Sequence, residues 1–388
     1  MTTKNNYLYD DTDCKTGRPM ILFITRNYPP SVGGKERLSF ELINHIAKKE
    51  EVLKITWSKH LKGLWYFIIK AFIEALILCY RHENIRLIHL NDPILTPMGL
   101  LLKFFTMKPM VANVHGLDIT YPNAIYQWII PTTLKKMDRI ISISHATTLE
   151  CERRGIPSEK ITIIPVGVTI NNPFISAVSV PLEKLEKLVG FPLKDRKIII
   201  TIGRLVKRKG VGFFVSEVLP ELVKEFPDIC YLVIGDGPER GNIEDIIRSN
   251  KMSSHAVLLG YVDDETLALV KEIASLFVMP NIPVEGDMEG FGIVALEAAV
   301  AGLPVVASRL EGIKEAVTDG ENGILIEPGD APGYINVLRR LLLDERYRMY
   351  LGEKGKAFAV SNFSWETIAN RYYSIFEETI LAQKEQEG

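Results

Sequence analysis

The chain has 388 residues, 47 % hydrophobic, 24 % charged and 9 % aromatic, a mix that buries a core and excludes a disordered polypeptide. At about 150 residues per domain the length suggests two domains, and a net charge of -2 excludes the strongly basic footprint of a general nucleic-acid binder. The total hides an asymmetry, net +7 over residues 1–180 and -9 over residues 181–388, which fits halves with separate partners or two faces that pack together.

Met1 to Pro19 is polar and lacks the basic start and apolar centre of a secretory signal. Cys14, Cys79, Cys151 and Cys230 are far apart, forming neither a CxxC metal pair nor a disulfide framework, so a cytoplasmic protein is expected. From Met20 short apolar runs alternate with helical patterns. Strands are predicted at Met20–Thr25, Val52–Trp57, Leu87–Leu90, Met110–Val114, Ile140–Ile143 and Ile161–Val166. Helices are predicted at Lys35–Lys49, Leu64–Tyr80 and Tyr126–Met137. The most apolar stretch, Gly63–Tyr80, contains Lys70 and Glu74 in a window barely long enough to span a bilayer, so it is not read as transmembrane.

Around Asn171–Pro192 the pattern breaks into polar, Pro-containing sequence and restarts with strands at Lys197–Ile202, Cys230–Ile234, Ala256–Leu259, Leu276–Met279, Val305–Ala307 and Ile324–Ile326. Helices are predicted at Val211–Phe226, Gly292–Ala301 and Trp365–Gln383. Continuous apolar strands alternating with helices indicate parallel sheets covered on both faces. The reading is an α/β chain of two Rossmann-like domains, residues 20–180 and 194–362, with residues 363–388 forming a helix that packs back toward the first domain. Ligands of such domains bind at the carboxyl ends of the strands, so the site is expected in a crevice facing both domains.

Four stretches at strand ends carry candidate chemistry. Gly33 and Gly34 end a loop and open a helix, either as a tight turn or so that the backbone can approach a phosphate. Gly203 to Gly210 places Arg204, Lys207, Arg208 and Lys209 in an otherwise acidic half, a charge pattern suited to a diphosphate. In Glu289-Gly-Phe-Gly-Ile-Val-Ala-Leu-Glu297, Glu289 precedes a helix whose free N–H groups suit a phosphate, and Glu297 lies one turn deeper, so two carboxylates are available to hydroxyls. His115 follows the strand Met110–Val114 and can bind or polarise a hydroxyl.

Taken in order, these residues resemble a retaining family 4 (group 1) glycosyltransferase with the GT-B fold. The resemblance runs from Met20 to Trp365 and includes Gly235-Asp-Gly-Pro238, Asp319-Gly-Glu-Asn-Gly323, Pro328-Gly-Asp330 and Phe363-Ser-Trp365. It implies that Gly33, Gly34, Arg204 and Lys209 face the diphosphate of a nucleotide sugar, and that Glu289 binds the transferred sugar. It also implies that Glu297 binds the ribose, that the Phe291, Gly292 and Ile293 backbone binds diphosphate and sugar, that Tyr261 and Val262 lie by the base, and that His115 contacts the sugar at the reacting centre. The implied reaction is metal-independent and needs no further cofactor; Asp11 and Asp13 imitate a metal-binding DxD only in a polar tail. Where the family usually shows Pro-Asn-Gly-Val-Asp, this chain has Pro165-Val-Gly-Val-Thr169.

The basic N-terminal half and the amphipathic, aromatic run Leu61–Tyr80 suggest a glycan or lipid-linked acceptor and contact with an anionic membrane surface; alternatively, these aromatics pack on the sheet. A role in cell-envelope glycan, glycolipid or polysaccharide synthesis follows. A non-hydrolysing sugar-nucleotide 2-epimerase and a non-catalytic nucleotide-sugar binder are the alternatives.

Overall fold

A computed structural model describes residues 19–30, 34–57, 63–170 and 181–387; Gly33, Asp11, Asp13, Cys14 and Leu61 lie outside them. The chain divides into one unit of Met1–Gly167 plus Trp365–Gly388 and a second of Val168–Ser364. The C-terminal segment Trp365–Gly388 holds two basic and five acidic residues, so the first unit is net +4 and the second -6, a weaker asymmetry than the sequence halves show.

In the first unit the elements are β1 (Met20–Thr25), α1 (Gly34–Ile46), β2 (Glu51–Thr56), α2 (Leu64–Arg81), β3 (Ile85–Leu90), α3 (Thr96–Thr106), β4 (Met110–Val114), α4 (Ala124–Leu134), β5 (Arg139–Ser142), α5 (His145–Arg153) and β6 (Ile161–Ile163). The sheet is parallel in the order β2-β1-β3-β4-β5-β6. Its direction of winding reverses between β1 and β3. Strands β1 and β4 are buried along their whole length, as expected of strands covered on both faces. Helices α3 and α5 were not anticipated from the sequence. The first is apolar nearly all round, which hides a 3.6-residue period, and the second is short and polar, starting at a Ser144 cap whose hydroxyl accepts from Thr147 N.

Helix α2 is buried along Phe67, Ala71, Ala75 and Cys79, four residues apart. The opposite stripe of Trp65, Ile69, Ile73 and Ile77, also four apart, is 45–78 % exposed. The aromatics of this run therefore divide: Phe67 packs on the sheet, and Trp65 and Tyr66 do not.

The second unit contains α6 (Leu182–Val189), β7 (Lys197–Ile202), α7 (Val211–Phe213), α8 (Leu219–Glu225), β8 (Ile229–Ile234), α9 (Arg240–Ser249), β9 (Ala256–Gly260), α10 (Asp264–Ile273), β10 (Leu276–Met279), α11 (Ile293–Val300), β11 (Val305–Ser308), α12 (Ile313–Ala316), β12 (Ile324–Ile326), α13 (Ala331–Leu343) and α14 (Glu345–Phe363). The final helix, α15 (Trp365–Glu387), belongs to the first unit, where it packs on α1 and β3 and where Glu377 pairs with Arg86 at 2.7 Å. The second sheet is parallel in the order β12-β11-β10-β7-β8-β9, reversing between β10 and β7.

Two local readings need correction. Part of the stretch read as a polar break is α6, which buries Leu185 and Val189 and ends at Gly190 in the left-handed region. The single helix predicted at Val211–Phe226 is interrupted by a π turn at Phe214–Val218, directly before Leu219-Pro220. Proline has no N–H to continue the regular ladder, and the wider turn absorbs that loss.

Candidate active site

The second unit gathers its chemistry where the strand order reverses, between β7 and β10. The loop after β7 runs from Gly203 to Gly210, and a Cβ at Gly210 would lie 1.8 Å from Pro280 O, so this loop and the one after β10 touch through their backbones. The Gly235-Asp-Gly237 turn after β8 supports the same loop from the other side: a Cβ at Gly235 would meet Gly203 O at 2.1 Å, and one at Gly237 would meet Leu205 O at 2.3 Å.

This packing carries Lys209 to Glu289. Lys209 Nζ lies 2.5 Å from Glu289 Oε2, with side-chain exposures of 9 % and 12 %. Asn281 Nδ2 donates to the same oxygen at 3.1 Å, and Arg208 Nε stands 3.6 Å away. Burial works against the Glu289 carboxylate, but Lys209 and Arg208 outweigh it and hold its pKa below the usual value. Arg208 also faces Asp287 at 3.4 Å. Arg204, by contrast, is exposed, with no side-chain partner among the described residues.

Glu289 leads into α11, whose start depends on Gly292 at φ +81°, where a Cβ would press on Met279 Cε at 3.3 Å. No side chain caps α11, leaving its first N–H groups open to an anion. Phe291 and Gly292 are buried, and the Phe291 ring lies against Phe363. Ile293 is half-buried, as is Glu297, whose carboxylate lies 4.0 Å from Lys271 Nζ. Tyr261 is 81 % exposed and Val262 half-buried, just past the end of β9.

In the first unit a second cluster forms at the carboxyl ends of β1, β3 and β4. His115 is buried, and Nε2 lies 3.0 Å from Asn91 O. A carbonyl only accepts, so Nε2 carries the proton, and Nδ1 of the neutral ring is an acceptor. Burial, followed by the Lys35 charge, pushes the His115 pKa down, which favours that neutral ring. Asp118 accepts from His115 N at 3.0 Å and from Lys35 Nζ at 3.1 Å. The buried Asp92 binds Arg26 Nη2 at 2.7 Å and Asn27 Nδ2 at 3.2 Å. Its pKa is depressed because Lys35 and Arg26 overcome the cost of burial. Gly34, the first residue of α1, is exposed, and a Cβ there would meet nothing within 4 Å.

Thus Glu289, Lys209, Phe291, Gly292, Ile293 and Arg204 fall on neighbouring loops of the second unit, with Glu297 one turn along α11. In the first unit His115 sits at the end of β4 and Gly34 at the start of α1. The sequence reading missed Asn281, Lys35 and Asp118 and assigned Arg208 no individual role. Asn281 and Asp118 each follow a strand closely, so the rule that singled out His115 applied to them equally. Residues of the Pro165–Thr169 segment pack locally: a Cβ at Gly167 would enter the Trp365 ring at 2.5 Å, and Val168 N donates to Phe363 O at 2.7 Å. Among the described residues no group of three or more His, Cys, Asp or Glu side chains is placed to hold a metal ion.

Comparison with known proteins agrees with this architecture. The family described as Glycosyl transferases group 1 matches residues 186–358, and Glycosyltransferase Family 4 matches residues 24–172. The phosphatidyl-myo-inositol mannosyltransferase of Mycobacterium tuberculosis H37Rv is 30 % identical over 314 residues, covering 76 % of this chain and 74 % of that one. The GDP-mannose-dependent alpha-(1-6)-phosphatidylinositol monomannoside mannosyltransferase of Mycolicibacterium smegmatis is 28 % identical over 277 residues, 70 % of each chain. Among solved structures, Anabaena HepE in complex with UDP superposes with a TM-score of 0.72 at 19 % identity, over 92 % of this chain and all of that one. With both family models matched in chain order on two parallel α/β units, this chain belongs to the group 1, family 4 glycosyltransferases of the GT-B fold.

Proposed function

We propose that this glycosyltransferase moves a hexose from a nucleoside diphosphate to an acceptor hydroxyl with retention at the anomeric carbon and without a metal ion. The observation that carries the reading is the Lys209–Glu289 pair at the reversal point of the second sheet, beside the unpartnered Arg204 and the uncapped start of α11. One carboxylate for sugar hydroxyls and fixed positive charge for a diphosphate stand within one loop cluster. Glu297 is the residue for the ribose, and Tyr261 and Val262 for the base. The open space at Gly34 is consistent with a ligand approaching the start of α1.

In the reaction, the bond between the acceptor oxygen and the anomeric carbon forms on the face from which the diphosphate leaves. The carbon–phosphate oxygen bond breaks with its electron pair going to the diphosphate, and a departing phosphate oxygen takes the acceptor proton. Arg204 and Lys209 neutralise the growing charge, and the neutral His115 offers Nδ1 to a sugar hydroxyl. Catalysis is then mainly positioning and charge stabilisation.

The test begins with a thermal-shift screen of uridine, guanosine and adenosine diphosphate hexoses, since a bound donor raises apparent stability with concentration. Transfer assays follow with Glu289→Ala and Arg204→Ala. Unchanged turnover in both variants refutes the site, inversion at the anomeric carbon by NMR refutes retention, and loss of turnover in chelator refutes metal independence.

A second reading concerns the acceptor. The relatives named above carry phosphatidylinositol acceptors in their names, and the outward stripe of α2 continues onto exposed Phe104 and Phe105 of α3 and Trp128 of α4, helices packed side by side. A helix apolar on two opposite faces needs two apolar surroundings. On and beside these helices Lys70 and Lys103 pair with Glu74 and Asp138, while Arg81 and Lys136 are exposed, and no helix of the described residues is long and apolar enough to cross a membrane. Peripheral binding to the cytoplasmic, anionic leaflet, with a lipid-linked or envelope-glycan acceptor, fits these facts. Flotation with phosphatidylglycerol vesicles should be lost in Ile69→Glu/Ile73→Glu. Failure of the unaltered protein to float overturns it.

A further inference from the structure

Between β11 and α12 the chain turns through Glu311 at φ +44°, in the left-handed region. A side-chain-bearing residue is strained there, because its Cβ crowds the following carbonyl oxygen, and glycine is the residue at ease with it. The turn is pressed against the loop that carries Glu289. A Cβ at Gly312 would lie 2.1 Å from Gly290 O, and Gly312 N donates to Glu289 O at 3.2 Å. The Glu311 side chain completes the grip: its Oε2 accepts the Glu289 N–H. Both backbone polar groups of Glu289 are thus held by residues 311 and 312.

Only one oxygen of Glu311 is used in this way. Its Oε1 has no hydrogen-bond partner among the described residues, and it is not sealed from solvent. Glycine adopts this backbone conformation more easily, so a side chain at 311 is tied to what its carboxylate does: one oxygen holds Glu289 N and the other stays available to a donor. Conformations of this kind persist where their surroundings over-determine them, and they concentrate at ligand sites.

We propose that Glu311 is a specificity residue of the donor site, with Oε2 positioning Glu289 and Oε1 taking a hydrogen bond from a hydroxyl of the transferred neutral hexose. This rests on the reading of Glu289 as the sugar-binding carboxylate. The charged groups facing Glu311 are Glu289 and Asp287, which disfavour its anion, and Arg208, which favours it; burial is the largest influence and pushes its pKa up. Arg208 and Lys209 already offset Asp287 and Glu289, so the Glu311 carboxylate is the excess negative charge of this corner and disfavours donors whose sugar carries a carboxylate.

The experiment is calorimetric titration of the full chain with UDP, GDP and ADP and with their glucose and mannose esters. Its readout is how much the hexose tightens binding over the free diphosphate. Glu311→Gly relieves φ +44° but leaves Glu289 N without its acceptor, so the two effects offset and the melting temperature should stay within a few degrees, which separates lost recognition from lost fold. The hexose contribution should fall about tenfold while diphosphate affinity stays within about twofold. Glu311→Gln, which can still accept from Glu289 N, should recover part of the loss. An unchanged hexose contribution in Glu311→Gly, or equal weakening of diphosphate and ester, overturns the proposal. Glu289→Ala is the control: if it removes the hexose contribution and Glu311→Gly does not, only the role of Glu311 fails. If neither variant affects it, or if the unaltered protein binds none of these compounds, the reading of the Glu289 site fails as well.

Discussion

Replacing Glu289 by Ala tests the donor site through stability before any substrate is known. Lys209 Nζ and Glu289 Oε2 are 2.5 Å apart with side chains 9 % and 12 % exposed, so truncation strands a buried ammonium group. Loss of one partner of a buried pair costs about 3–5 kcal/mol. The buried Asn281 Oδ1 has no hydrogen-bond partner and is free to accept from the stranded ammonium, which places the figure near the lower bound. For a unit the size of Val168–Ser364, about 3 kcal/mol lowers the melting temperature by roughly 6–12 °C. Lys209→Met/Glu289→Leu should recover most of that loss, because an apolar pair of similar volume removes both charges together. Calorimetric unfolding of this double variant and of Lys209→Met and Glu289→Leu singly gives the coupling energy directly. A coupling below about 0.5 kcal/mol would mean that the pair behaves as a solvated surface contact and would refute the buried-pair argument. The pH dependence provides a second check. The folded pKa of Glu289 lies below its ordinary value of 4.5, so its contribution is complete above pH 4.5 and fades as pH falls through the depressed folded value. Glu289→Gln should lose that acid-side dependence.

Other outcomes follow from the same geometry. Gly210→Ala, with φ +64° and a Cβ 1.8 Å from Pro280 O, should abolish soluble expression or cost several kcal/mol in chemical denaturation. Gly34→Ala meets nothing within 4 Å and should leave the melting temperature within about 1 °C while weakening donor binding in titrations; unaltered affinity removes Gly34 from the site. Glu297→Ala should weaken free nucleoside diphosphate and its hexose ester by the same factor, since its assigned partner is the ribose. His89 is fully buried and its pKa is pushed down to about 3, by burial first, so the folded state resists protonation that the unfolded state accepts. Stability of the first unit should therefore decline as pH drops below about 6.5, and His89→Leu should flatten the decline by a few kcal/mol.

The β-strands were legible because each is a short apolar run between turn signals, and several bounds, such as Met20–Thr25 and Lys197–Ile202, agree with the structure to the residue. Helices α3 and α6 were not legible, the first because it is too uniformly apolar and the second because its polar flanks hid Leu185 and Val189. Position within a motif marked out Glu289, Lys209 and Arg204, but their relation to one another was hidden: nothing in a run of four cations says that Lys209 is already paired while Arg204 is open.

The order of the chemistry-bearing residues and the alternation of strand and helix are local properties. The sequence alone therefore determined the fold class and the family resemblance, because an apolar run, a glycine pair or a strand-end histidine can be read within a few residues. Partnership is a property of distance. That Glu289 meets Lys209 from 80 residues away, that Asn91 O orients His115, and that Glu311 grips the Glu289 loop were decided only when parallel strands brought separate loops to one sheet edge. The same holds for α2, whose sequence is apolar on both faces. Only packing decided that Phe67, Ala71, Ala75 and Cys79 are buried and that Ile69, Ile73 and Ile77 remain exposed.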